Sequence, residues 1–202
     1  MESEALAPNK SSFVITYYQR NLLILYIHGF RTTIESHKAK ILKEHYHTSN
    51  IVIANHSIIP TEAIQDLEKI IEDKNITAII ASSLGGFYAT YLSEKYNLKT
   101  VLINPSVTPY KTLNRYLGEN ERQDGSKFIW KEEHTKMLEP LIIENPTTKN
   151  YFLFLQRGDE ILDYRIAEKF YKGSKLVIED NGNHRFTKFE RFFDEVSEFF
   201  GL

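Results

Sequence analysis

Six short apolar blocks alternate with helix-like stretches along this chain, and that alternation limits the possible folds more than any other feature. The blocks are Leu22 to Ile27, Ile51 to Ala54, Ile76 to Ala81, Thr100 to Ile103, Tyr151 to Leu155 and Lys175 to Ile178. Each is a near-continuous apolar run without in-and-out alternation, the pattern of strands covered on both faces of a parallel sheet. Helix-like stretches fall at Ile34 to His45, Thr61 to Glu72, Leu84 to Tyr96, Tyr164 to Tyr171 and Thr187 to Phe200. The second opens with Pro60 and Thr61 and carries Glu62, Asp66 and Glu68 toward its N-terminal end, where acids suit the helix dipole. The last sets Phe189, Phe192, Phe193, Val196 and Phe200 on one face. Strand and helix in turn imply βαβ units. The predicted class is α/β, with a mostly parallel sheet of six or seven strands and helices on both faces. The seventh strand would be the β-rich run Phe13 to Tyr18.

Between Pro105 and Asn150 the rhythm stops. This interval holds Pro105, Pro109, Pro140 and Pro146 and reads as two short helices, Lys111 to Leu117 and Ile129 to Leu138. An irregular insertion of this length in a compact domain is often functional, so residues 105–150 are expected to form a small helical cap. The whole chain of 202 residues suits one domain, with residues 1–21 as an N-terminal extension.

Composition removes several chemistries. There is no cysteine, which excludes disulfides, a thiol nucleophile and thiolate metal sites. A net charge of −2 gives no basic face for nucleic acid. The longest apolar run, Leu22 to Ile27, is far shorter than a membrane span. Met1 to Lys10 lacks the apolar core of a signal peptide. A cytoplasmic protein acting on a small molecule is the expectation.

The chemistry-bearing segment is Ala81-Ser82-Ser83-Leu84-Gly85, at the junction of a strand and a helix. A serine with small residues two positions to either side, on such a junction, is laid out as a nucleophile elbow. Ser83 meets that pattern, with Ala81 and Gly85 as flanks; Ser82 does not and reads as a capping or packing serine. A serine hydroxyl needs a base within hydrogen-bond reach, and the base needs an orienting acid. His184, in the loop Asn181-Gly182-Asn183-His184, follows the last strand and is the candidate base. Asp159 follows the Tyr151 to Leu155 strand and is the candidate acid, with Glu160 and Asp163 as close competitors. Oxyanion donors are expected from the backbone N–H of Leu84 and, after the first strand, from that of Phe30 in Tyr26-Ile27-His28-Gly29-Phe30. His28 reads as a loop-orienting side chain. Phe128, Trp130, Met137 and Leu138 are candidate walls of an acyl pocket, or equally a satellite core. His45, His47 and His56 fall on different elements, which argues against a metal site. Glu132-Glu133-His134 reads as a solvated helix face.

These segments, with Asn104-Pro105, Tyr116-Leu117-Gly118-Glu119-Asn120 and Gly158-Asp159-Glu160-Ile161-Leu162-Asp163-Tyr164, resemble the α/β-hydrolase superfamily. More closely they resemble small bacterial esterases of the YqiA type, over roughly residues 22–202. Ala81 stands where the wider superfamily has glycine. The resemblance implies an α/β-hydrolase fold and no metal or organic cofactor. It implies Ser83 as nucleophile, His184 as base, and Asp159 in preference to Asp163 as acid. The implied activity is a serine carboxylesterase working through an acyl-enzyme. The alternatives are an acyl-CoA or acyl-protein thioesterase, a peptidase, and a non-catalytic interaction protein on a hydrolase scaffold.

Overall fold

A computed structural model describes residues 22–202. The six apolar blocks become one all-parallel sheet in the order β2-β1-β3-β4-β7-β8. Its strands are β1 (Ile24–Ile27), β2 (Ile51–Ile53), β3 (Ala78–Ser83), β4 (Lys99–Pro105), β7 (Tyr151–Gln156) and β8 (Lys175–Glu179). The expected strand Phe13 to Tyr18 lies outside the described residues.

Strand side chains alternate between two buried layers, and this is why the blocks carry apolar residues on both parities. Leu25, Ile27, Ile79, Ala81, Leu102 and Leu153 face one layer. That layer is closed by α2 (Pro60–Lys74), α3 (Leu84–Tyr96) and α6 (Tyr164–Phe170), where α1 (His37–Tyr46) is the first helix in chain order. Ile24, Tyr26, Ile80, Val101, Phe152 and Phe154 face the other layer. There α1 and α7 (Phe193–Phe200) cover them. Phe154 packs edge-on against Phe189 at 5.2 Å and Phe186 at 6.4 Å. Burying one such ring contributes roughly 1.5–3 kcal/mol.

Helix boundaries follow local chemistry. Ser36, not Ile34, starts α1, its side chain accepting from Ala39 N at 3.3 Å. Pro60 takes the first position of α2, and Asn75 ends it in the left-handed conformation. The expected helix Thr187 to Phe200 is shorter: Lys188 has φ +61°, a 3₁₀ turn spans Phe189–Phe192, and only Phe193–Phe200 is α-helical. Among the described residues no helix is long and apolar enough to cross a membrane.

The insertion departs from a purely helical cap. It carries α4 (Pro109–Thr112), a 3₁₀ turn at Leu113–Tyr116, and α5 (Glu132–Lys136). Between them stands an antiparallel hairpin of β5 (Gly118–Glu121) and β6 (Lys127–Trp130). The expected helix Ile129 to Leu138 therefore begins as a strand. The cause is a tight turn in which Arg122 N donates to Ser126 O at 2.8 Å and Gly125 takes φ +83°. His134, expected on a solvated face, is buried and packs at 5.1 Å against Trp130.

Candidate active site

The C-terminal ends of β1, β3 and β7 and the loop after β8 meet at one edge of the sheet. Parallel α/β sheets assemble their sites at this edge. Ser83 is the last residue of β3, with φ +54° and ψ −125°. That conformation is costly for a residue with a Cβ, of order 1–3 kcal/mol, and tight packing holds it. A Cβ at Gly85 would stand 2.6 Å from the His28 carbonyl oxygen, so only glycine lets α3 start this close to β1. Ser82 points the other way, its Oγ 3.1 Å from Tyr26 Oη in the core.

Three side chains form one hydrogen-bonded line. His184 Nε2 lies 2.9 Å from Ser83 Oγ. His184 Nδ1 lies 2.8 Å from Asp159 Oδ2 and 3.0 Å from Oδ1. An ionised carboxylate only accepts, so Nδ1 carries the proton and Nε2 presents its lone pair to the serine hydroxyl. The Asp159 side chain is 2% exposed. Its Oδ1 also accepts from Ile161 N at 2.9 Å and Leu162 N at 2.8 Å, which fixes the carboxylate.

The competing acids do other work. Asp163 caps α6, accepting from Arg165 N at 3.0 Å and Arg165 Nε at 2.8 Å on the surface. Glu160 accepts from the backbone N of His184 at 2.9 Å, and that bond holds its carboxyl below the usual range. Glu160 therefore pins the histidine loop from outside. From inside, Asn104 Nδ2 donates to Asn183 O at 3.2 Å and His184 O at 3.3 Å. Gln156 Oε1 accepts from Asn183 N at 2.9 Å.

Gly29 abuts the serine: a Cβ there would lie 3.0 Å from Ser83 Cβ. This places Phe30 directly beside the elbow, while Leu84 opens α3 with one of the helix's orphan amides. The Phe30 ring is clasped by the cap, at 5.3 Å from Phe128, 4.8 Å from Trp130 and 5.6 Å from Tyr116. Trp130 and Leu138 are 1% and 0% exposed, so they are core side chains and not open pocket walls. Met137 turns toward α2, its sulfur 3.7 Å from Thr61 Oγ1. Of the four expected wall residues, only Phe128 stays half-buried next to Phe30.

The cleft beside the elbow has other walls. It is narrow, with room for about one water (about 10 Å³), among His28, Phe30, His56, Leu84, Tyr88 and Arg122. His28 and His56 stack at 4.4 Å with their planes 21° apart. Burial, and then the neighbouring His56, push His28 down to about 3, so it is uncharged near neutral pH. His45 lies elsewhere, 4.3 Å from Phe193. Among the described residues no three His, Asp or Glu side chains gather as metal ligands.

Comparison with known proteins agrees with this architecture. A model of the uncharacterised protein family UPF0227 matches residues 23–201. A UPF0227 protein of Serratia proteamaculans (strain 568) is 24% identical over 186 residues, covering 88% of this chain and 98% of that protein. Among solved structures, the ferulic-acid-bound Est1E of Butyrivibrio proteoclasticus superposes with a TM-score of 0.63 at 18% identity, covering 88% of this chain and 87% of that one. The Pyrococcus furiosus esterase PF2001 gives 0.61 at 18% identity, covering 89% of this chain and 80% of that one. At such identity the likeness is one of fold.

Proposed function

Because the chain belongs to the UPF0227 family and has an α/β-hydrolase fold, we propose that it is a serine hydrolase that cleaves carboxylic esters through an acyl-enzyme. The observation that carries this reading is the line Ser83–His184–Asp159, with 2.9 Å on one side of the imidazole and 2.8 Å on the other. Ser83 Oγ attacks the ester carbonyl while Nε2 takes its proton. Asp159 holds the ring in the tautomer this needs and stabilises the imidazolium that forms. The N–H groups of Phe30 and Leu84 bind the oxyanion, each contributing on the order of a hundred- to a thousand-fold in rate. The imidazolium then protonates the departing alcohol, and water, activated by the same base, frees the acid.

A fluorophosphonate probe tests the reading. The wild type is expected to be labelled and to hydrolyse p-nitrophenyl esters, and Ser83→Ala to do neither. An unlabelled wild type, or equal labelling of Ser83→Ala, would overturn it. Running p-nitrophenyl butyrate beside butyryl-CoA in the same assay separates esterase from thioesterase activity.

A further inference from the structure

The cleft beside the elbow carries a charge that nothing in the mechanism above uses. Arg122 leaves the tip of the cap hairpin, half-buried, and lines the same cleft as Phe30 and Leu84. Its position is fixed from both sides. Arg31, the residue after Phe30, donates from Nε to Glu121 O at 2.8 Å and accepts from Gln123 N at 2.9 Å. The guanidinium rests 5.8 Å above the Phe128 ring, which in turn packs on Phe30. Among the described residues it makes no ion pair, although nine other Lys, Arg and His side chains do. The acid two positions on, Asp124, feels the Arg122 charge without bonding to it, and directs its Oδ1 to Ser126 N at 3.0 Å and Ser126 Oγ at 2.6 Å.

Around this cation the cleft is mostly apolar, walled by Phe30, Ile58, Leu84 and Tyr88, and its lining carries no other Lys, Arg, Asp or Glu. His28 Nδ1 donates to Gly29 O at 3.0 Å and His56 Nδ1 donates to Ser57 O at 2.9 Å. Each ring therefore keeps a lone pair on Nε2. The Nε2 of His56 is buried without a hydrogen-bond partner; as an acceptor it takes an N–H or O–H, which a carboxylate lacks, so the guanidinium alone would pair an acid here. One fixed positive charge beside two neutral rings balances a single negative charge. That favours a carboxylate, which matches the guanidinium fork in a bidentate pair, over a dianionic phosphate.

We propose that Arg122 is a specificity residue that selects esters bearing a carboxylate a few bonds from the scissile carbonyl. The inference rests on the serine-hydrolase reading and deepens it by naming the substrate class. The acid lies on the acyl or the alcohol side of the ester, and the test has an arm for each.

The acyl arm compares mono-p-nitrophenyl glutarate with p-nitrophenyl butyrate. The alcohol arm compares p-carboxyphenyl acetate with phenyl acetate. In at least one arm the wild type should prefer the charged ester in kcat/KM by about tenfold or more. In Arg122→Gln that ratio should fall about tenfold, and Arg122→Lys should recover part of it. Free glutarate should inhibit the wild type competitively, with its Ki raised by Arg122→Gln. Neutral esters hydrolysed with no charged preference in either arm, or a preference that survives Arg122→Gln, would overturn the inference while leaving the hydrolase intact. Failure to turn over any ester, with no fluorophosphonate labelling, would remove the hydrolase reading and this inference with it.

Discussion

His28 Nδ1 donates to the carbonyl of its own neighbour, Gly29, at 3.0 Å. That carbonyl belongs to the same peptide unit as the Phe30 N–H, and the two point in opposite directions because the unit is planar. Thr32 reinforces the hold, its Oγ1 donating to the same oxygen at 3.0 Å. Fixing the oxygen thus aims the proposed oxyanion donor. Thr32→Val and His28→Ala should each lower kcat about tenfold, below the cost of losing a donor outright, with KM changed much less. Steady-state kinetics on p-nitrophenyl butyrate reads the split; equal effects on kcat and KM would deny the aiming role.

Asp159 and Asp163 are four residues apart and have different partners. Asp159→Asn removes the acceptor that sets the His184 tautomer and should cost ~10⁴ in kcat. Asp163→Asn keeps a capping side chain on α6 and should leave turnover within a few-fold, with stability lowered by less than about 1 kcal/mol. A reversed ranking in the ester assay would move the acid role to Asp163.

The buried Asn104 joins β4 to β7 and to the histidine loop. Its Oδ1 accepts from Gln156 N at 3.0 Å, and its Nδ2 holds the carbonyls of Asn183 and His184. Asn104→Ala strands these groups away from water, at about 1–3 kcal/mol each. The variant should melt at lower temperature and, while still folded at 20 °C, lose kcat because His184 is no longer fixed over Ser83. Unchanged kcat in folded protein would show that the loop holds itself.

Acid should weaken the fold through His28. The unfolded chain takes up a proton on this residue near pH 6.5, whereas burial keeps the folded one neutral down to about 3. Between those values the unfolded state binds more protons, so stability falls as pH falls, by roughly 1.4 kcal/mol per unit for a group fully displaced in this way. His56, also lowered by burial, acts in the same direction. Urea midpoints should drop from pH 6.5 to 4.5, and His28→Gln should flatten that slope. Parallel slopes for the two proteins would rule His28 out as the cause.

The sheet was legible because its four central strands are buried on both sides and therefore had to be unbroken apolar words; the edge strands β2 and β8 are only part-buried. Ser83, Asp159 and His184, which the structure brings into one hydrogen-bonded line, could be singled out together because each ends or follows a strand of the sheet. The hairpin was missed for the converse reason. Gly118-Glu119-Asn120-Glu121 is solvent-facing and carries no apolar alternation, so the only local sign was the Asp124-Gly125 turn. Arg122 and His56 could not be paired from sequence, since one comes from that hairpin and the other from the loop after β2. Trp130, beside Phe30, and Leu138 face inward as core side chains, the one of the two roles the sequence left open for them that composition could not choose, since it does not encode which side of a cap is wet.

The His184 to Ser83 bond joins positions 101 residues apart, and its histidine hangs from β8, the outermost strand of the sheet. An edge strand has a neighbour on one side only and is among the first to open. Fraying of β8 would carry off the base while the central strands, with the serine, stay intact. On gentle warming the protein should therefore fall silent some degrees before it melts, its margin acting as a fuse for its centre.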